Sequence, residues 1–463
     1  MLFRSYLKLF AASCVQIGIQ FSYSAIFGLS GPLFQSQFKL NGTAINIIFS
    51  VIGPLIGFFI QPIFGAIGDR CTFKFGRRRI FLVVGAIIDI IGMCILAAST
   101  FIDRAMVEEG STSSQSDEFV DHILGTVVAL IGLFIAFFGV NVMQGPSRTI
   151  VSDIFDAENQ QDANLMINAC SGFASIACYG ISAGTVGSSN TFIIMFGICA
   201  GVVFVSTIPT VVFSKEVQYV PTDGKKMNVL APFIDLFHAV KMIRIDIIFI
   251  LLSLMFGWFA FQPFNTNLTN YFSNSVYPDG EHDSGLRMGL IILAVFAVVQ
   301  CLSVLVFPVI SDTIGEVTTF LVFQGLAGVS YAMLCVIEFT FPTDIHDSTQ
   351  NPELYSSLVL GFLSAVFPAM AFVQTNSLPY SMLKKVVPEE RYGAFVGLLN
   401  CAVVLAQFLS SGLTALCQLF NEDYIVPIII SAVFSFVASV MSVVLYCVKT
   451  KENNGESDIL IKE

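Results

Sequence analysis

Three groups of residues carry side chains and spacings that could do chemistry. The first is a set of ionisable groups inside or at the edge of long apolar runs: Asp89, and Arg148 five residues before Asp153. A charge at the centre of a bilayer costs about 2.5–3.5 kcal/mol on insertion scales, so one that persists there has a partner or a task. The task open to a carboxylate in such a place is to take and release a proton. The bland readings stand beside it. Arg148 and Asp153 could lie just past the membrane edge, with Asp153 capping the next helix, and Asp89 could bond a Ser or Asn across the bundle.

The second group is polar and uncharged: Gln20, Tyr23, Gln61, Asn141, Gln144, Gln374, Asn400 and Gln407, with Trp258, the sole tryptophan. Amides and hydroxyls spread over several apolar runs, with one aromatic face, suit a neutral polyol. Each could equally make an ordinary hydrogen bond between helices. The third group is the turn QPIFGAIGDRCTFKFGRRRIF, Gln61 to Phe81, where Asp69, Arg70, Gly76, Arg77, Arg78 and Arg79 stand between two long apolar runs. One reading is a cytosolic gate, with Asp69 accepting from Arg77–Arg79. The other is topogenic, the arginines fixing orientation only.

The elements that must position these residues follow from hydropathy. The 463 residues are 55% hydrophobic and 12% charged, against about 25% charged in an ordinary soluble domain, and the mean hydropathy is +0.80. The apolar runs are too long for barrel strands. They predict an all-α polytopic membrane protein with twelve transmembrane helices. The spans expected are 9–33, 44–67, 80–100, 124–150, 163–185, 191–213, 247–266, 286–308, 317–338, 355–377, 393–417 and 425–447. The amino end leads into a full span without a small-residue cleavage site, so the first span is expected to act as the targeting signal.

Charge supports this count. With both termini inside, all but three of the 22 Lys and Arg fall on the cytosolic side or at its edge, the exceptions being Lys39, Arg104 and Arg287. Acids collect in the outer loops, at Glu108, Glu109, Asp117, Glu118 and Asp121, and again at Asp279, Glu281 and Asp283. That is the positive-inside asymmetry. The net charge of −11 therefore points to no acidic or nucleic-acid partner. The eleven cysteines are scattered singly, as small buried residues are. The sequence holds no metal cluster, no activated nucleophile and no phosphate loop, so no enzyme is expected. Sequons at Asn41 and Asn267 fall in outer segments.

The chain divides nearly in half: a six-helix bundle over 1–213, a cytosolic linker over 214–246, a second bundle over 247–448 and a cytosolic tail over 449–463. The turn Ser311 to Glu316 occupies the place of the Gly68–Asp69–Arg70 turn, without its arginines. Such a degenerate repeat fits six plus six helices about an axis along the membrane normal, the major facilitator arrangement.

These motifs resemble one family. The Gln61–Phe81 junction is similar to that of the sucrose/proton symporters of plants and their animal proton-associated sugar transporter relatives, within the glycoside–pentoside–hexuronide:cation symporters. Agreeing blocks are Gly18–Phe21, Gln144–Arg148 with Asp153, Trp258–Phe264, Gly285–Gly289, and Gly397–Asn400 with Gln407. The resemblance runs from span one to span eleven. It implies proton-coupled sugar symport by alternating access, driven by a proton gradient with no cofactor. It also implies that Arg148 and Asp153 carry the coupling; Asp89 matches no motif of the family. The expected partners are a sugar, H⁺ and the bilayer, for a monomer in the plasma membrane or an endomembrane. The chain departs from the pattern at Ile80, where Pro is usual, in lacking a His over Gln37–Ile45, and at Asn265–Leu268, which has lost two acids and a Trp. The departures keep open a related transporter of another solute, or an organellar pH or ion-balance carrier.

Overall fold

A computed structural model describes residues 2–69, 71–110, 122–154, 160–216, 230–277, 280–341, 352–387, 389–421 and 423–453. They form fifteen α-helices and, among the described residues, no strand. The first half holds α1 (Leu2–Ser13), α2 (Val15–Pro32), α3 (Gly42–Asp69), α4 (Arg79–Gly110), α5 (Ile123–Ile154), α6 (Gln160–Thr185) and α7 (Thr191–Phe213). A short α8 (Ala231–Val240) lies in the linker. The second half holds α9 (Ile245–Tyr271), α10 (His282–Ile314), α11 (Glu316–Thr340), α12 (Pro352–Thr375), α13 (Leu378–Val386), α14 (Glu389–Gln418) and α15 (Ile425–Asn453).

Twelve segments are long and apolar enough to span a bilayer, as the sequence predicts. Helix is the form these runs must take, since in lipid every backbone N–H and C=O has to be bonded within the segment. Several spans outrun their expected ends. The first covers Leu7–Gln37, the seventh Ile245–Val276 and the tenth Ser356–Val386. In the seventh, Thr266, Asn267, Asn270 and Asn274 look like a terminus by hydropathy, yet the helix continues, with the side chains of Thr266, Asn267 and Asn274 bonded within the protein. Spans one and seven both end in wider π-type turns, Leu33–Gln37 and Phe272–Val276, a form that recurs at functional sites.

Glycine sets the closest helix pair. A Cβ on Gly139 of α5 would lie 2.3 Å from the backbone nitrogen of Asp89 on α4, and one on Gly92 would lie 2.3 Å from that of Ala136. The two backbones therefore touch, which fixes the rotation of α4 and the direction of Asp89. Within the linker, α8 packs on α3 and α14: Phe233 sets its ring against Phe58 and Phe59, and Leu236 reaches Gly397.

The ends of the bundle differ. We call the end carrying the Arg77–Arg79 turn the basic end and its opposite the far end. Every hydrogen bond described between the halves lies at the far end. Towards the basic end Gly65 and Gly145 face open space, and Arg148 and Asn400 are exposed. Among the described residues, hydrogen bonds cross the seam at the far end and none cross it at the basic end.

Candidate functional site

Five of the nine residues expected to meet a substrate come together in the first half. Gln61 on α3 donates to Asn141 Oδ1 and to Gln144 Oε1 on α5, both at 2.6 Å. The Tyr23 hydroxyl on α2 is 2.9 Å from Gln144 Oε1 and 3.3 Å from Asn141 Oδ1. Asn141 spends its own donor on the Phe137 carbonyl at 2.7 Å, which orients its oxygen toward Gln61. One turn along α2, Gln20 donates to Ser175 on α6 at 3.1 Å, and Ser24 meets the same hydroxyl. Three helices thus hold an uncharged set of amides and a phenol, with Tyr23, Gln61 and Gln144 only half-buried.

The charged candidates flank this set. Asp89 is fully buried; its Oδ2 accepts from Ser22 on α2 at 2.7 Å, and its Oδ1 has no partner. Ser22 also lies 3.3 Å from Cys199 on α7. Ser22 immediately precedes Tyr23, so Asp89 is tied to the helix that carries the phenol. Arg148 is exposed one turn beyond Gln144. Asp153 stands in the last turn of α5, and its side chain lies outside the described residues.

The second-half candidates do not join. Trp258 packs edge-on against Phe261 and Phe372, with its indole N–H unpartnered. Gln374 is fully buried with neither amide atom bonded. Asn400 accepts from the Tyr380 hydroxyl at 3.0 Å. Gln407 is half-buried with no side-chain bond among the described residues.

At the basic turn the side chain of Asp69 and all of Arg70 lie outside the described residues. The described acid there is Glu216, just past α7, which the sequence reading did not single out. Its carboxylate accepts the backbone N–H of Arg78 and of Arg79 at 3.0 Å, and lies 3.8 Å from Arg79 Nε. Arg79 also reaches the Val211 carbonyl and sits over the Phe75 ring. Gly76 has φ +128°, and a Cβ there would fall 2.4 Å from Glu216 Oε2, so this position needs glycine twice over. Arg78 is buried and Arg77 half-buried. The signal for Glu216 was an acid where basic residues prevail.

At the far end the sequence departure at Asn265–Leu268 becomes legible. Asn46 on α3 donates to Asn267 Oδ1 at 3.0 Å and to Gln418 Oε1 on α14 at 2.9 Å, and Asn267 returns a bond to Asn46 at 3.1 Å. All three are fully buried. A Cβ on Gly42 would lie 2.9 Å from the Gln418 amide, so glycine admits it. Neutral amides close this end. Asn267 is consequently not available as a sequon, whereas Asn41 is exposed.

Twelve spanning helices in two halves around an uncharged polar centre define a membrane transporter. Residues 12–411 match the Major Facilitator Superfamily, and the chain belongs to that superfamily. A sucrose transport protein, SUT5 of Oryza sativa subsp. indica, is 25% identical over 96% of this chain and 88% of its own. Proton-associated sugar transporter A of Mus musculus is 30% identical over 36% of this chain and 20% of its own. A solved structure of a point mutant of the nucleoside transporter NupG superposes with a TM-score of 0.70 at 14% identity, covering 95% of this chain and 100% of that one.

Proposed function

We propose that the protein is a proton-coupled symporter of a neutral sugar, sucrose or a related glycoside, working by alternating access. The observation that carries this is the bonded set Tyr23, Gln61, Asn141 and Gln144. It offers donors and acceptors in fixed directions and no charge, which is what a ring of hydroxyls needs and an ionic solute does not. The names of the sucrose and proton-associated relatives point the same way.

In this reading the sugar lies between the first-half amides and the second half, where Trp258, Gln374, Asn400 and Gln407 each wait to meet it. Asp153 or Asp89 takes and releases the proton, and Arg148 favours the ionised form of Asp153 or bonds a sugar hydroxyl. Neutralising a carboxylate makes its burial less unfavourable, so protonation biases which end of the seam is open. Tyr23, next in the chain to the Ser22 that bonds Asp89, passes that bias to the bound sugar. The basic turn, Asp69 to Arg79 with Glu216, serves as the gate at the basic end. Its end of the bundle is cytosolic, as are both termini; the membrane is the plasma membrane or an endomembrane, and the unit is a monomer. The halves divide at 213 and 247, and the proton gradient is the only energy source.

Uptake of labelled sucrose, maltose and glucose into proteoliposomes, with and without an imposed proton gradient, tests the reading. Gradient-driven accumulation of at least one is expected. Uptake indifferent to the gradient would eliminate symport. A second reading, a carrier of another solute or of organellar pH or ion balance, draws on Asn265 and Asn267 standing where the resembled family has acids. Failure of all three sugars would favour it.

A further inference from the structure

Helix α9 and the turn that continues it present three asparagines, Asn267, Asn270 and Asn274, at spacings of three and four, which places them on one helical face. That face meets the first half at the far end. Asn267 bonds Asn46, and Asn274 donates to Gln35 at 3.1 Å, joining the two π-type turns. Asn270, between them, is different. It is fully buried against Gly31, where a Cβ would come within 3.1 Å of its amide nitrogen, and neither its Nδ2 nor its Oδ1 has a partner among the described residues. A buried amide left without bonds is destabilising and calls for an explanation.

Asn270 also belongs to the lining of a pocket of about 280 Å³ between the halves. Gln35, Ser36, Ser188, Ser273 and Asn274 share that lining, with Lys39, Arg104, His282 and Asp283 among its charged groups. Arg104 is occupied by Asn190 and the Ser189 carbonyl, and His282 by the Ser273 carbonyl. Lys39 and Asp283 offset one another in charge, and the rest of the lining is mainly amide and hydroxyl.

We propose that the asparagine face of α9 and the pocket around Asn270 form a far-end subsite for a neutral polyhydroxylated ligand. The same amides close the seam in one state and bond ligand hydroxyls in the other. This rests on the sugar reading above for the ligand's class. Asn267 and Asn274 exchange partners as the seam opens. Asn270, which holds nothing when the seam is shut, is kept for the ligand.

The unpaired state of Asn270 gives the test. Asn270→Leu, close in size, removes no bond in the closed protein. In oriented proteoliposomes loaded from the far end, KM for labelled sucrose, or for whichever of maltose and glucose the protein carries, should rise about three- to tenfold, the worth of one or two neutral hydrogen bonds. The maximal rate should stay near wild type and the thermal midpoint should hold or rise, since no bond is lost and an unbonded buried amide is removed. An unchanged KM overturns the subsite, and so does a fall in stability and maximal rate alone, the mark of a structural role. If Asn270→Leu does not fold, Asn274→Ala at the exposed mouth must show the KM rise, and its absence there is equally fatal. Wild-type protein that carries none of the three sugars defeats the functional reading and the ligand class together, an outcome distinct from the others.

Discussion

In the first half the central polar side chains hold one another; in the second they stand apart. Gln61, Tyr23, Asn141 and Gln144 share four hydrogen bonds, whereas the Trp258 indole and both ends of the Gln374 amide are unpartnered. The turns after the second and eighth spans repeat the contrast. Glu216 fastens the arginine turn through two backbone N–H groups. The acid within the turn after the eighth span, Glu316, receives the side chains of Ser381 and Lys385 of α13. One half of the centre is a preformed template. The other holds unsatisfied groups that a ligand would complete. A bonded group lost from the template orphans its partners, while a lone group replaced by an apolar one of like size orphans nothing.

The largest effect should come from the buried acids. Asp89→Asn should abolish gradient-driven accumulation while sparing exchange down a gradient, measured as accumulation ratio against counterflow. Asp246 in the second half is also buried, but it caps α9 through the Ile247 N–H and pairs with Arg244. Asp246→Asn should leave the accumulation ratio intact. Loss of accumulation in both variants would erase the distinction.

Next comes the template itself. Asn141→Leu should destabilise the protein by about 1–3 kcal/mol and lower kcat/KM roughly tenfold or more, because Gln61 and Tyr23 lose an acceptor. Gln374→Leu should be neutral or stabilising by thermal unfolding, with KM raised and the maximal rate kept. Opposite signs of the stability change are the sharpest check on the contrast between the halves.

The smallest effects belong to the turns. Glu216→Gln and Asp69→Asn should reach the membrane at normal levels yet slow transport several-fold. Glu316→Gln should stay within about twofold, since a half-exposed pair is worth about 0–1 kcal/mol. Normal uptake by Asp69→Asn would remove the gate role from that residue.

Much of the centre was legible beforehand for a local reason. Gln20, Tyr23, Gln61, Asn141 and Gln144 are polar residues inside apolar runs, and a helix in lipid turns such residues inward whatever its neighbours are. The same rule marked Gln374 and Gln407, but it could not say that they would remain unbonded. It ended span seven too early, because Asn267 and Asn274 resemble a helix end until their partners are known. It passed over Ser22, Asn46, Glu216 and Gln418, none of which looks unusual in its own stretch of chain.

The sequence by itself determined the twelve spans, the polar membership of the centre and the arginine turn, because hydropathy and charge act within one helix length. Tertiary structure alone decided that Asp89 meets Ser22, that Glu216 holds the turn, and that neutral amides rather than ion pairs seal the far end. Those pairings join residues 67, 138 and 221 positions apart. They depend on the rotation and depth of each helix, which the glycine contacts between neighbouring backbones set.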